Sequence, residues 1–194
     1  YGKLHEMTSK VASALTKLGV KAGDSVGIYM PMVPEVVAIL FGCLKIGAVA
    51  VPVFSGFGGQ ALQTRMADAE AKVLFTADGG KRRGKMLPVK PDADEAVDGL
   101  PDLKHVIVLD RYGMAKNWRE GRDLRWSEVV EKASPDAATV QLPAEHPSMY
   151  LYTSGTTGKP KGTVHTHAGA LASIARELGF AFDVRKDDVF FWFT

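Results

Sequence analysis

The sequence contains little of three things that mark special classes of protein: cysteine, long apolar runs, and charge of one sign. Its single cysteine, Cys43, cannot form an intramolecular disulfide, which excludes a secreted disulfide scaffold and favours a reducing compartment, so we expect a cytoplasmic protein. The longest apolar run, residues 36–44, falls well short of the roughly 20 residues that a membrane-spanning helix needs, so we expect no membrane partner. With 24 Lys and Arg against 22 Asp and Glu, the net charge of +2 is too balanced for a general nucleic-acid-binding protein.

The composition is that of a globular protein. Apolar residues make up 46% and charged residues 24% of the 194 residues, a length that suits one domain or a large part of one. The apolar run at residues 190–194 predicts a buried strand, whereas natural termini are usually polar and exposed. We therefore expect the chain to be part of a longer protein whose other residues cover that strand.

Strand and helix patterns alternate along most of the chain. Apolar runs predict strands over residues 25–30, 49–54, 73–76, 105–109, 149–153 and 164–165. Helical spacing of apolar residues predicts helices over residues 4–18, 34–47, 60–70, 126–132 and 166–178, with a short one near Asp94. The alternation predicts an α/β fold in which parallel-rich β-sheets are flanked by helices.

Several predicted helices carry an expectation about where they end or what they bury. Gly19 and Gly47 are expected to end the first two helices, because glycine readily adopts the left-handed conformation that follows a helix. The second helix is apolar on nearly all sides, so we expect it to be buried. The inward-facing residues expected on two later helices are Leu62, Met66, Leu171, Ile174 and Leu178.

A loop rich in glycine, hydroxyl groups and lysine follows the predicted strand at residues 149–153. Glycines let backbone N–H groups turn toward one point, the hydroxyls add hydrogen-bond donors, and the lysines add positive charge, a combination that suits a polyphosphate. The candidate phosphate-binding residues are Thr153, Ser154, Gly155, Thr156, Thr157, Gly158, Lys159 and Lys161.

The loop differs from a Walker loop, because Lys159 is followed by Pro160 rather than by Ser or Thr. The alternative interpretation is a flexible linker with two solvated lysines. Such linkers rarely lie between an apolar strand and a helical pattern, so the loop favours phosphate binding.

Residues 152–162 resemble the signature loop of the acyl-adenylate-forming superfamily, which includes acyl-CoA synthetases, adenylation domains of peptide synthetases, and luciferases. The resemblance extends over the whole chain and is greatest to acetyl- and propionyl-CoA synthetases. The further segments that carry it are residues 20–26, 29–35, 45–49, 68–72, 76–80 and 164–167.

The resemblance implies a ligase that works in two steps and uses ATP, Mg²⁺ and CoA. A carboxylic acid, here expected to be short-chain, attacks the α-phosphate of ATP to give acyl-AMP and pyrophosphate, and the thiol of CoA then displaces AMP. Residues 153–161 would hold the β- and γ-phosphates, and Lys161 would be the catalytic cation near the leaving pyrophosphate. The chain would then be a partial N-terminal domain, residues 1–194, without the rest of that domain and the small C-terminal domain, and would be unlikely to act alone.

A second candidate site is the basic cluster at residues 81–85. An arbitrary basic run is usually a solvated turn, but this one follows a predicted strand, where α/β proteins often carry ligand-binding groups. The cluster resembles the segment with which acetyl-CoA synthetases hold the 3′-phosphate end of CoA, with the adenine packed near residues 54–56. The residues implied are Arg82, Arg83, Gly84 and Lys85, and they depart from the family pattern at Arg83, where a small residue is usual.

Other chemically active residues have simpler interpretations. We expect His165 and His167 to cap or pack the last helix, and Cys43 to be a small core residue. Too few candidate ligands lie together for a zinc site, so no protein metal site is predicted.

Two other functions remain open from the sequence. One is a different adenylating enzyme that activates an aryl or amino acid, although a carrier-protein partner would not need a clamp for a 3′-phosphate. The other is a non-catalytic nucleotide-binding module.

Overall fold

The architecture is a seven-stranded, mostly parallel sheet with helices on both faces. It was analysed as a computed structural model that describes residues 1–153 and 160–191. The helices are α1 (Gly2–Lys17), α2 (Pro34–Ile46), α3 (Gly59–Asp68), α4 (Lys90–Asp98), α5 (Trp126–Val129) and α6 (His167–Arg176). The strands are β1 (Ser25–Tyr29), β2 (Val49–Pro52), β3 (Val73–Ala77), β4 (Gly79–Arg82), β5 (Lys85–Pro88), β6 (His105–Leu109), β7 (Asp123–Arg125), β8 (Pro147–Thr153) and β9 (Lys161–Thr166).

The strand order of the sheet is β7-β6-β3-β1-β2-β8-β9. Every neighbouring pair is parallel except β8 and β9, which pair antiparallel, while β4 and β5 form a separate hairpin. The central strands β1 and β3 are buried along their whole length, as expected for parallel strands covered on both faces. The predicted α/β fold is therefore confirmed.

Two hydrophobic cores lie on opposite faces of the sheet. One is formed by α1, α2 and α5, with Leu15, Ile39 and Trp126 packed together against the sheet. The other is formed by α3 and α4, and contains the predicted inward residues Leu62 and Met66, which are fully or almost fully buried.

A glycine in β1 brings α3 close to the sheet. A Cβ at Gly27 would collide with the Met66 sulfur and with a methyl group of Leu74, so a larger residue would force these two side chains to move. The close packing of Met66 against β1 therefore depends on the missing side chain.

The predicted helix ends are confirmed in both places where glycine marked them. Gly19 follows α1 with a φ of +85°, and Gly47 follows α2 with a φ of +75°. Pro34 begins α2, where its missing N–H has no helical partner to lose.

The predictions that α2 is buried and that Leu171 and Ile174 of α6 face inward are wrong. In α2, Val37 and Phe41 are 40% and 47% exposed, and α6 has no buried residue, with Leu171 and Ile174 at 70% and 57% exposure. Leu178 lies beyond α6, in a single π-helical turn, and is half-buried. Burial of an apolar side chain is favourable in free energy, but amphipathic spacing in a sequence does not identify the residues that would cover it. Among the described residues, none covers α2 and α6 fully.

The apolar run near the end of the chain is also not a buried strand where it is described. Phe190 and Phe191 are 46% and 81% exposed and lie in no strand, while residues 192–194 lie outside the described residues.

Two strands and one hairpin were not predicted as the structure has them. Residues 78–103, expected to lack regular structure apart from the helix near Asp94, also contain the hairpin β4–β5, whose outer residues are exposed and show no apolar pattern. The short strand β7 was missed as well. Strand β9 begins at Lys161, so Lys161 and Gly162 lie in a strand rather than in the predicted loop.

A buried cluster of charges joins α4 to β7. The Lys90 ammonium lies 2.8 Å from a carboxylate oxygen of Asp94 and 2.8 Å from one of Asp123, and Arg122 Nε lies 2.6 Å from the other Asp123 oxygen. The side chains of Lys90 and Asp123 are 1% and 0% exposed. Burial alone raises the pKa of Asp123, but the hydrogen bonds from Arg122 and Lys90 outweigh it and hold the pKa below its ordinary value of 3.8.

The cluster predicts that stability depends on the charge of Asp123. Because the folded-state pKa is lowered, its stabilisation is present above pH 3.8 and is lost as the pH falls toward the folded-state value. Asp123→Asn should lower the free energy of unfolding by about 3 kcal/mol at pH 7 by leaving Lys90 buried without one partner. It should also flatten the decline of stability in acid.

Urea unfolding at pH 7 and below pH 5 measures both effects, with the exposed Asp136→Asn as the matched control. Equal acid sensitivity in Asp123→Asn and the unchanged protein would contradict the assignment.

Candidate functional site

The candidate site lies where the parallel strands of the sheet end at their carboxyl termini. From β1 the chain passes to β2 on one side and then returns to β3 on the other side of β1. In open α/β sheets, ligands commonly bind outside the carboxyl ends of the strands at such a reversal, which here lies between β1 and β3.

The predicted phosphate loop connects β8 to β9 at this same edge. Thr153 is the last residue of β8 and Lys161 is the first of β9, and the two face each other across the antiparallel ladder. Both are exposed. The predicted residues Ser154, Gly155, Thr156, Thr157, Gly158 and Lys159 lie outside the described residues. The ladder therefore brings the two described ends of the loop together at the edge of the sheet.

The predicted basic cluster forms the tip of the hairpin β4–β5, directly after β3. Arg82 and Lys85 face each other, and the turn between them consists of Arg83 and Gly84, with φ values of +49° and +79°. Two positive φ angles are the mark of a type I′ turn, whose twist suits a two-residue hairpin. Residues 81–85 are all exposed, so the hairpin presents its cations to solvent.

An aromatic strip, residues 54–57, adjoins this hairpin. Phe54 is 57% exposed and its ring centroid lies 5.4 Å from the guanidinium carbon of Arg82, while Phe57 meets Phe54 edge to face at 5.8 Å. The Tyr29 hydroxyl lies within hydrogen-bond distance of the carbonyl oxygens of Ser55 and Phe57, which ties the strip to the end of β1. Burial raises the pKa of Tyr29, with a smaller effect from nearby Asp92, so its hydroxyl stays protonated.

The sequence analysis missed Asp78, which holds the base of the hairpin. Its carboxylate accepts hydrogen bonds from the backbone N–H groups of Gly79, Arg111, Tyr112 and Met114, at distances of 2.8–3.1 Å. The signal was an acidic residue placed directly after an apolar strand and before two glycines. Asp78 therefore fixes the hairpin against the segment that follows β6.

The charge of Asp78 is stabilised although the residue is fully buried. Burial alone raises the pKa, but the backbone donors of Arg111, Met114 and Tyr112, together with a hydrogen bond from Asp110, outweigh it and hold the pKa of Asp78 below its ordinary value. Burial and a hydrogen bond shared with Asp78 raise the pKa of the neighbouring Asp110.

The hairpin and the phosphate loop lie at one edge but are separated along it. Strands β1 and β2 lie between β3 and β8, so three strand spacings, roughly 14 Å, separate the points where the two loops begin. The structure therefore provides two positively charged regions that one extended ligand, or two neighbouring ligands, could contact together.

Thr166, rather than His165 or His167, caps α6, and Cys43 is a buried core residue, as predicted. The Thr166 side chain accepts a hydrogen bond from the Gly169 N–H and so caps α6, while the His167 ring lies 6.0 Å from that of His146. Burial raises the pKa of the Cys43 thiol to about 12, so it is protonated and unreactive at neutral pH. Within residues 1–153 and 160–191, no group of three or more His, Cys, Asp or Glu side chains could hold a metal ion.

Comparisons with known proteins point to one family. A model of the AMP-binding enzyme family matches residues 1–194. Acetyl-coenzyme A synthetases of Mycobacterium bovis and Methanothrix thermoacetophila are 48% and 45% identical to the whole chain, which covers 30% and 29% of their lengths. An acetoacetyl-CoA synthetase from Streptomyces lividans has a solved structure that covers the whole chain with a TM-score of 0.90 and 33% identity, and the chain covers 29% of it. The chain thus spans less than a third of each of these relatives.

Asp78 and Asp110 offer a matched pair for a test of the hairpin's support. Asp78→Asn should lower the free energy of unfolding by about 2–3 kcal/mol, because an amide cannot replace a carboxylate that accepts four N–H groups. Asp110→Asn should cost less than about 1 kcal/mol, since Asp110 is exposed, accepts one backbone bond, from Gly113, and shares a hydrogen bond with Asp78 that the amide N–H of asparagine can still donate. Urea unfolding at pH 7 measures both, and equal losses would contradict the role of Asp78.

Proposed function

Because the chain belongs to the AMP-binding enzyme family, we propose that the protein carrying it activates a short-chain carboxylic acid with ATP and transfers the acyl group to CoA. The observation that carries the proposal is that the phosphate loop and the basic hairpin, about 70 residues apart in sequence, lie at the same edge of the sheet. The acetyl-coenzyme A synthetases matched over the whole chain support acetate or a similarly small acid as the substrate.

In the first step, a carboxylate oxygen of the acid attacks the α-phosphate of ATP. A bond forms between that oxygen and phosphorus, and the bond to pyrophosphate breaks, which leaves acyl-AMP. Negative charge builds on the departing pyrophosphate. Backbone N–H groups, hydroxyls and cations of residues 153–161 stabilise this charge, and Lys161 supplies the cation at the start of β9.

In the second step, the thiol of CoA attacks the acyl carbon, and AMP leaves with the electron pair of the broken bond. The basic hairpin would bind the 3′-phosphate of CoA through Arg82, Arg83 and Lys85, with Gly84 allowing the tight turn. The exposed ring of Phe54 would pack beside the adenine. CoA carries its thiol on a long flexible arm, so its nucleotide can lie at the hairpin while its thiol reaches the acyl group.

Mg²⁺ enters this proposal with ATP. The described residues offer no group of carboxylate, His or Cys side chains that could hold a metal by themselves. Magnesium usually keeps several waters and is bound through substrate phosphates with one or two carboxylates. The phosphate loop is therefore expected to receive ATP as its magnesium complex.

The lone cysteine supports a cytoplasmic location, since Cys43 is buried and unable to pair within the chain. No described helix is long and apolar enough to cross a bilayer.

Lys161 is the first residue to test, in the complete natural protein that carries this chain. Lys161→Ala should slow acid-dependent exchange between ATP and pyrophosphate by about 10²-fold or more, because a cation near the leaving group is lost. The exposed Lys132→Ala, remote from the loop, is the control and should leave exchange unchanged. An exchange rate unaffected by Lys161→Ala would remove the catalytic role from Lys161.

Arg82 tests the CoA site in the same protein. Arg82→Ala should raise the apparent KM for CoA by about tenfold or more, because a charge-assisted hydrogen bond to phosphate is lost, and should leave the KM for ATP nearly unchanged. The comparison with dephospho-CoA, which lacks the 3′-phosphate, is decisive. If Arg82→Ala weakens CoA and dephospho-CoA equally, Arg82 does not contact the 3′-phosphate.

Substrate dependence separates this function from the two alternatives. Exchange that needs an amino or aryl acid and a turnover that ignores CoA would favour another adenylating enzyme. ATP binding without exchange for any acid would favour a non-catalytic nucleotide-binding module.

A further inference from the structure

Arg65 in α3 is a buried arginine that stacks on aromatic rings. The residue is 8% exposed, and its Nη1 donates a hydrogen bond of 2.6 Å to the Ala61 carbonyl one turn earlier. Among the described residues it forms no ion pair within 4 Å with any carboxylate. Burial of a charge without an acidic partner costs free energy, so other groups around this guanidinium must stabilise it.

Two aromatic rings from different parts of the chain lie beside the guanidinium. Its central carbon is 4.6 Å from the centroid of the Phe57 ring and 6.0 Å from that of Tyr152. Cation–π attraction of this kind is strengthened when the groups are removed from water. The rings and the Ala61 carbonyl therefore offset part of the cost of burying the charge.

Each of the two rings belongs to one of the proposed binding regions. Phe57 is in the aromatic strip beside the basic hairpin, where it meets Phe54, which in turn lies under Arg82. Tyr152 immediately precedes Thr153, where the phosphate loop begins. Arg65 thus lies beside one aromatic ring that adjoins each region.

Tyr152 is itself held in place. Its hydroxyl donates a hydrogen bond of 2.7 Å to a carboxylate oxygen of Asp68, one turn after Arg65 on the same helix. Burial raises the pKa of Tyr152, and the bond to Asp68 raises it further, so the donor proton stays on the tyrosine. Its ring also lies 3.3 Å from where a Cβ at Gly162 would be, so β9 approaches closely on its other side.

We propose that Arg65 is a positioning residue that fixes the aromatic strip and the end of β8 relative to each other. In this role it keeps the CoA-binding hairpin and the phosphate loop at a constant separation, although Arg65 touches neither substrate. The inference rests on the proposed function, because it assigns those two regions to CoA and ATP. Arginine suits the role better than lysine, since its planar guanidinium can lie against aromatic faces while its N–H groups still donate at the edge.

The test compares Arg65→Lys with Arg125→Lys in the complete natural protein. Arg125 is the matched control, since its guanidinium also lies over a ring, that of Trp118 at 4.5 Å, but on the remote edge strand β7. Arg65→Lys keeps the charge and loses the planar stack, and should both raise the apparent KM for CoA and slow pyrophosphate exchange, each about three- to tenfold. Arg125→Lys should change neither.

Phe57→Leu separates positioning from a general loss of structure. CoA takes no part in pyrophosphate exchange, so a change in the CoA-binding strip should not by itself affect that reaction. Phe57→Leu should therefore slow exchange only if Arg65 links the strip to the phosphate loop. In the Arg65→Lys background the same substitution should have no further effect on exchange, because the link is already broken. Thermal unfolding of each variant shows that the folded fraction is unchanged at the assay temperature.

Three results would overturn the inference: exchange indifferent to Phe57→Leu, effects of Phe57→Leu and Arg65→Lys that simply add, or an Arg65→Lys protein that behaves as Arg125→Lys does. The unmutated protein is measured first. If it shows neither exchange nor CoA-dependent release of AMP, the proposed function itself fails, which is a different outcome from an active protein that is insensitive to Arg65.

Discussion

Parallel pairing of the central strands is the constraint on which the candidate site depends. Parallel strands place all their carboxyl ends at one edge, so segments that leave different strands meet there however far apart they are in sequence. Because β3 and β8 both end at this edge, the basic hairpin and the phosphate loop lie on the same side of the molecule, with the ends of β1 and β2 between them. The strands themselves are held by apolar burial on two faces, with α1 and α2 on one side and α3 and α4 on the other. Packing of the core thus fixes the positions of the strand ends, and with them the positions of the candidate binding residues.

Polar groups with many partners then set the detailed geometry of that edge. Asp78 gathers four backbone donors beneath the hairpin, and Tyr29 holds the aromatic strip. Neither residue is expected to meet a ligand. Separating the Asp78 carboxylate from these N–H groups would leave a buried charge and buried donors without hydrogen bonds in a low-dielectric interior. Any other arrangement of the hairpin therefore costs free energy. The basic hairpin and the aromatic strip are therefore held at their bases by buried hydrogen bonds.

The sequence predicted the features that depend on local chemistry. Glycines at positions 19 and 47 end their helices because the left-handed conformation suits glycine, and apolar runs became buried strands at β1, β3 and β6. The hairpin β4–β5 escaped prediction because its outer residues are charged and exposed, and its turn places Arg83 at a positive φ that few residues other than glycine adopt. Burial of α6 was predicted wrongly, since amphipathic spacing identifies a helix face but not its partner. The position of Asp78 after an apolar strand marked it as unusual, but its partners at residues 111–114, like the rings beside Arg65, are distant in sequence and no local pattern reveals them.

The pairing of β8 with β9 has a consequence for the energetics of ligand capture. Thr153 and Lys161 are neighbours in the ladder before any nucleotide arrives, so the ends of the segment between them are already joined. The loss of chain entropy on closing that segment therefore occurs when the protein folds, and under the proposed function it would not weaken the association with a triphosphate. Strand pairing at the two ends of a loop would in this way shift part of the entropic cost of ligand binding to the folding of the protein.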